Sequence, residues 1–190
     1  MGSEVLPCYL VCDISCSMND HVDELNAGLR EFRGAVHAEP SVAARILVCV
    51  VAFADVPRVQ QSLRPAVELA ELAGSESTGG SAFGSTFALL RATIDNDVHR
   101  LRESWASVSR PLVFFVSDGR PTDPDWPAAF ADLIDPSWSV RPDVIAFGVG
   151  AVDPATMNTI GTSRFFVGQD GVRIGTALTA SVMHAIGLRA

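Results

Sequence analysis

Four uninterrupted apolar runs mark the chain: CYLVC at 8–12, ILVCVVAF at 46–53, LVFFV at 112–116 and VIAFGV at 144–149. None alternates with polar residues, the pattern expected of strands covered on both faces in a parallel sheet. A shorter run at 165–167 predicts an edge strand. Between the runs the apolar spacing changes to three and four. Val22, Leu25, Leu29, Phe32 and Val36 form one stripe behind a cap at Asn19 or Asp20. Phe87, Leu90, Ile94, Val98 and Leu101 form a second, and Ile174, Leu178, Val182 and Ile186 a closing one. These stripes predict amphipathic helices. Segment 56–63 follows the second run after only Ala54-Asp55, which predicts an antiparallel hairpin partner at the sheet edge, where Pro57 is tolerated. The alternation predicts a doubly wound α/β fold: a mostly parallel six-stranded sheet with one antiparallel edge strand and helices on both faces, in one domain over 1–190.

Composition narrows the class. A length of 190 residues suits one domain with a sizeable core. A content of 48% hydrophobic against 19% charged residues argues for a packed globular protein and against a disordered one. No apolar run reaches 18 residues, and 1–7 has neither a basic start nor an apolar stretch, so the expectation is a cytoplasmic protein without signal peptide or membrane anchor. The 14 basic residues are all arginine, and 22 acidic residues leave a net charge of -8. An acidic chain without a basic block is a poor partner for nucleic acid, whose binding rests on neutralised phosphates. Cys8, Cys12 and Cys16 recur at regular spacing, with Cys49 apart. Residues four apart on a strand lie about 13 Å from each other, whereas two ligands of one zinc lie within about 4 Å. Cys8 and Cys12 therefore cannot share a metal, and the cysteines read as small buried thiols.

Candidate chemistry gathers where apolar runs stop. Asp13, Ser15 and Ser17 follow the first run at alternate positions, and Asp118 follows the third within SDGRPTD. In open parallel sheets ligands bind beyond the carboxyl ends of the strands, at the switch point where connections diverge. The stretch 73–84 (AGSESTGGSAFG) leads into the second helix and reads as a site loop, which brings Ser81 towards the same crevice. Hydroxyls and carboxylates are hard oxygen ligands that suit Mg²⁺, with Mn²⁺ or Ca²⁺ as alternatives.

With these elements in this order, the chain resembles the von Willebrand factor A family with its metal-ion-dependent adhesion site over nearly its full length. Asp13, Ser15 and Ser17 match the family's Asp-x-Ser-x-Ser element, Ser81 falls at its loop threonine, and Asp118 matches its last aspartate. The Ser-Asp-Gly-x-Pro-Thr-Asp run resembles the TerY-type subgroup of tellurium-resistance and stress modules. Two positions depart from the pattern: Cys16 stands where glycine is usual, and Ser81 replaces threonine while keeping a hydroxyl. The resemblance implies a non-enzymatic metal-dependent interaction domain. It further implies that Asp13, Ser15, Ser17, Ser81 and Asp118 hold Mg²⁺ and leave one coordination position for an Asp or Glu of a protein partner, such as a kinase or phosphatase of the same module.

Other readings are bland by comparison. Asp123 and Asp125 read as loop caps, Arg120 as a solvated side chain, and 135–142 as an exposed proline-flanked turn. Thr78 and Thr86 are further hydroxyls near the Ser81 loop. Phe114, Phe115, Phe147, Phe165 and Phe166 read as core, and Trp105, Trp126 and Trp138 as partly buried packing residues. His21, His37, His99 and His184 fall in predicted helices, leaving no base for a Ser or Cys nucleophile. A metal-dependent phosphohydrolase with Asp13 as nucleophile is the alternative, but Ser15 stands where that chemistry wants a second Asp, and a later lysine is missing. A metal-free scaffold, with Cys16 disabling the site, is the third.

Overall fold

A computed structural model describes residues 4–73, 79–168 and 173–187. The first apolar run grows into β1 (Glu4–Asp13), which is buried from its second residue onward. A 3-10 turn (Cys16–His21), α1 (Val22–His37) and the short α2 (Pro40–Ala43) lead to β2 (Ile46–Phe53). β3 (Arg58–Pro65) returns antiparallel to β2 with irregular register. α3 (Phe83–Ser104), β4 (Ser107–Val108), β5 (Leu112–Ser117), α4 (Trp126–Leu133), β6 (Asp143–Gly148), α5 (Pro154–Ile160), β7 (Arg164–Val167) and α6 (Ile174–Ala185) complete the order.

The sheet runs β3-β2-β1-β5-β6-β7, with β3 its antiparallel member. Among the described residues the sheet has seven strands where six were expected. The extra one, β4, pairs with Glu4 and Val5 at the start of β1. It is parted from β5 by Ser109-Arg110-Pro111, where proline has no N–H for a ladder. The sequence expectation for β3 began two residues early: Val56 is exposed and Pro57 precedes the first paired residue. No side chain at Asn19 or Asp20 caps α1, because the 3-10 turn runs directly into that helix with His21 at the cap position.

Two cores sandwich the sheet. On one face Leu6, Cys8, Leu10 and Cys12 meet Leu25, Leu29, Phe32 and Val36 of α1 and Leu178 and Val182 of α6. On the other, Tyr9, Val11, Val51, Phe53 and Phe115 meet Phe83, Phe87, Leu90 and Ile94 of α3, Phe130 of α4 and Met157 of α5. The Phe83 ring lies 4.9 Å from Phe115 edge to face, and Phe53 stacks on Phe115 at 5.4 Å. Each such pair adds about 0.5–1.5 kcal/mol beyond its buried area. That aromatic knot fixes the start of α3, two residues beyond Ser81. Phe165 and Phe166 are only half-buried on the edge strand β7. The turn 135–142 is not wholly exposed, since Val140 packs into the second core. Among the described residues no helix is long and apolar enough to cross a membrane.

Candidate metal centre

Strand order places the switch point between β1 and β5: the chain leaves β1 for β2 on one side and β5 for β6 on the other. Cys12 pairs with Val116, so Asp13 and Ser117 end adjacent strands side by side. The segment after Asp13 is pinned from both ends. The Ile14 amide donates to Phe53 O at 2.8 Å, the Met18 amide to Ser15 O at 2.9 Å, and both apolar side chains are buried. With Ile14 and Met18 turned into the protein, the Ser15 and Ser17 hydroxyls meet at 3.2 Å.

Asp13 is the hub. Its Oδ1 accepts the Ser15 amide at 2.9 Å, and its Oδ2 accepts the hydroxyls of Ser81 at 2.9 Å and Ser117 at 2.6 Å. Ser117 Oγ in turn accepts the Gly119 amide at 3.0 Å, which commits its proton to Asp13. Burial pushes the Asp13 carboxyl above its ordinary value, and the hydrogen bonds from Ser117, Ser15 and Ser81 offset part of that rise. Asp13 is fully buried, yet among the described residues it has no ion pair with a basic side chain. A buried carboxylate of this kind is normally paired or bound to a metal.

The structure therefore gathers Asp13, Ser15, Ser17 and Ser81 directly. Asp118 stands next to Ser117 at the end of β5, nearly buried, with Oδ1 accepting the Arg120 amide at 3.1 Å. No side-chain hydrogen bond joins it to the other four. Ser15 and Ser81 are buried, while Ser17 is exposed, so the centre opens to solvent on the Ser17 side. Adjacent ligands of an octahedral ion with ~2.1 Å bonds stand about 3 Å apart. The Ser15–Ser17 hydroxyl separation of 3.2 Å fits such a pair. Among the described residues no group of three or more His, Cys, Asp and Glu side chains gathers, so the centre is one of hydroxyls and two carboxylates.

Cys16 leaves the backbone undisturbed. Among the described residues no non-glycine residue has a positive φ, so this position does not demand glycine. Its side chain is exposed, unlike the buried Cys8, Cys12 and Cys49. The expectation of uniformly buried thiols therefore fails at Cys16.

Two carboxylates seat the Ser81 loop: Asp55, which the sequence did not single out, and Asp123, expected there as a loop cap. Asp55 Oδ1 accepts the Gly80 amide at 2.7 Å. Asp123 reaches across from the loop after β5 and caps α3, accepting the Phe83 amide at 2.9 Å and the Gly84 amide at 2.6 Å. The Thr122 amide donates to Ser81 O at 3.0 Å. Close approach explains two glycines of this loop: a Cβ on Gly80 would run into the Thr122 side chain, and one on Gly84 would sit 2.6 Å from Asp123 Oδ2. Asp125 occupies the cap position of α4 without a side-chain hydrogen bond. Arg120 is exposed. Thr86 is buried and donates to Ala82 O at 2.6 Å, which takes it out of the centre. Thr78 lies outside the described residues, as does the rest of 74–78. Ser117, a hydroxyl closing a buried run opposite Asp13, is the omission that strand pairing alone would have revealed.

No protein-family model matches the chain, and no curated protein matches it. Solved structures do. The pilus adhesin SpaC from Lactobacillus rhamnosus GG, in its open conformation, superposes with a TM-score of 0.72 at 13% identity over 96% of this chain and 30% of that one. A von Willebrand factor type A protein from Catenulispora acidiphila gives 0.67 at 17% identity, covering 97% and 43%. Proximal thread matrix protein 1 from the mussel byssus, described with a zinc-occupied MIDAS motif, gives 0.59 at 16% identity, covering 96% and 46%. The chain thus spans less than half the length of each of these three, and it has a von Willebrand factor A-like α/β fold.

Proposed function

We propose that this protein is a non-enzymatic, metal-dependent protein-interaction domain. In this reading Ser15, Ser17 and Ser81 supply hydroxyl ligands, and Asp13 and Asp118 supply the negative charge. The observation that carries it is Asp13 itself: a fully buried carboxylate at the switch point, without a basic partner among the described residues, ringed by hydroxyls. Mg²⁺ is the ion that suits such a set, with Mn²⁺ and Ca²⁺ as substitutes, since no thiolate or imidazole contributes.

The ion would supply a local positive charge that inverts the field of an acidic chain. An Asp or Glu of a protein partner then has a reason to approach from the open Ser17 side. The same chain offers little for hydrolysis: both Asp13 oxygens are engaged by donors, and no histidine stands at a strand end. A place in a tellurium-resistance or stress module beside a kinase or phosphatase rests on the motif resemblance, and a cytoplasmic address rests on the sequence expectation.

The test uses Mn²⁺ as a reporter ion. Loaded on the protein, Mn²⁺ should enhance water proton relaxation, and added acetate should lower that enhancement by displacing bound water. Ser17→Ala should weaken Mn²⁺ binding. Equal Mn²⁺ binding by Ser17→Ala, or an acetate-insensitive signal, contradicts the proposal. Metal-dependent turnover of small phosphoesters would support the phosphohydrolase instead.

A further inference from the structure

The two carboxylates of the centre stand on different strands: Asp13 ends β1, and Asp118 follows β5. The backbone ladder between those strands has its last pair at Cys12 and Val116. Beyond that pair a side chain sets the gap. Ser117 Oγ donates to Asp13 Oδ2 at 2.6 Å, and among the described residues this is the one side-chain hydrogen bond that ties Asp13 to the end of β5. A hydroxyl bonded to a carboxylate at such a length is one of the stronger kinds of hydrogen bond. Ser117 is fully buried, and its carbonyl accepts the Val149 amide at 3.1 Å, which ties it to β6 as well.

The Asp118 side is held just as closely. Ser117 Oγ accepts the Gly119 amide at 3.0 Å, and Asp118 O accepts the Asp153 amide at 2.7 Å. Gly119 has a φ of 78°, and a Cβ on it would come within 2.8 Å of Met157 and 2.9 Å of Asp153 O. Segment 117–119 therefore has little slack of its own, and Asp118 follows the position that Ser117 takes against Asp13. With its proton on Asp13 and a lone pair on Gly119, Ser117 acts as a spacer between the two carboxylates. Spacing matters differently to different ions. Mg²⁺ demands near-ideal octahedral geometry at ~2.0–2.1 Å, whereas Ca²⁺ accepts irregular shells at about 2.3–2.6 Å. A fixed narrow span favours the first, and a slack one forfeits that advantage. On the metal-binding reading proposed above, we infer that Ser117 is a positioning residue that fixes the span between Asp13 and Asp118 and thereby makes the centre selective for Mg²⁺ over the larger Ca²⁺.

Calorimetric titrations of the intact chain with Mg²⁺ and with Ca²⁺, on the parent, Ser117→Ala, Ser117→Thr and Tyr9→Phe, test this. Ser117→Ala should lose about 10–100-fold in Mg²⁺ affinity, the usual cost of removing a group that orients metal ligands. It should lose less in Ca²⁺ affinity, so the ratio of Mg²⁺ to Ca²⁺ affinity falls. Ser117→Thr keeps the hydroxyl and should keep the ratio. Tyr9→Phe removes a hydrogen bond to Asp97 on α3, away from the centre, and should leave both affinities unchanged. Lost charge or a smaller folded fraction lowers binding of both ions alike, so the ratio is the quantity that a merely structural role would not move. Should circular dichroism show Ser117→Ala unfolded, Ser117→Cys takes its place, since a thiol is only a weak donor. A parent that binds neither ion overturns the metal-binding reading itself. A parent that binds both, with the ratio unchanged in Ser117→Ala, overturns this inference alone.

Discussion

Asp123→Ala tests whether the fold seats the Ser81 loop in the way the hydrogen bonds imply. The substitution removes a carboxylate that accepts two amides of the first turn of the 22-residue α3, Phe83 at 2.9 Å and Gly84 at 2.6 Å. Losing a helix cap costs about 0.5–2 kcal/mol, and losing a negative charge at a helix N-terminus costs about 0.3–1 kcal/mol more. Both bonds are partly buried, so the sum should fall near 2 kcal/mol. In a domain of this size that corresponds to a drop of about 4–8 °C in the thermal midpoint. Asp123→Asn keeps one acceptor and should lose about half as much. Urea unfolding followed by far-ultraviolet circular dichroism measures the change. Because Ser81 precedes that turn and its carbonyl accepts Thr122, Mg²⁺ affinity should fall along with stability. A loss below about 0.5 kcal/mol would refute the idea that this clasp holds the loop.

Three further outcomes are expected. Ser117→Ala removes a 2.6 Å donor from the buried Asp13 carboxylate and should cost about 1.5–3 kcal/mol, read by chemical denaturation, with Ser117→Thr recovering most of it. Asp97 sits above its ordinary value because burial outweighs the hydrogen bond from Tyr9 and the nearby Arg100. A raised folded value means its contribution is fully present below the unfolded value and is lost as pH rises through the folded one. Asp97→Asn should therefore be more stable than the parent at pH 7, by an advantage that shrinks towards about pH 4, as urea midpoints at the two values would show. Native protein should expose one thiol to a disulfide reagent and unfolded protein four, because Cys8, Cys12 and Cys49 are buried and burial pushes the Cys12 and Cys49 thiols up to about 12. Cys16→Ser should abolish the native reaction.

The sheet was legible because its central strands are buried on both faces, so their apolar runs stand uninterrupted. The long α1, α3 and α6 were legible because each repeats its apolar spacing over several turns. Of the short elements, β7 was legible from its apolar run at 165–167, and α4, α5 and β4 were not. α4 buries only Phe130 and Leu133, and α5 is seven residues long, too few for a period to emerge. α5 did carry a local signal, Asp153 followed by Pro154, and Asp153 indeed accepts the Ala155 amide. β4 has two residues and owes its existence to pairing with Glu4 and Val5, far away in sequence at the start of β1. At the centre, Asp13, Ser15 and Ser17 were conspicuous as polar groups ending an apolar run. Ser117 and Asp55 were not, because their importance comes from long-range partners that no local spacing reveals; Asp123 was legible as a loop cap, but not that the helix it caps is the distant α3. Asp13 also proved more deeply embedded than a surface ligand. Its removal would strand the hydroxyls of Ser81 and Ser117, so Asp13→Ala is a poor probe of metal binding alone.

Ser17 is the better probe, since it is exposed and its hydroxyl meets that of Ser15, whereas Ser15 is buried and its side chain also hydrogen-bonds Asp13. Calorimetric titration of the intact chain with Mg²⁺, beside Ser15→Ala, Ser17→Ala and the double variant, addresses the central claim most directly. The account predicts one saturable Mg²⁺ site, weakened by each single change and lost in the double variant, with the thermal midpoint of Ser17→Ala little altered. Absence of saturable binding, or undiminished binding in the double variant, would contradict it.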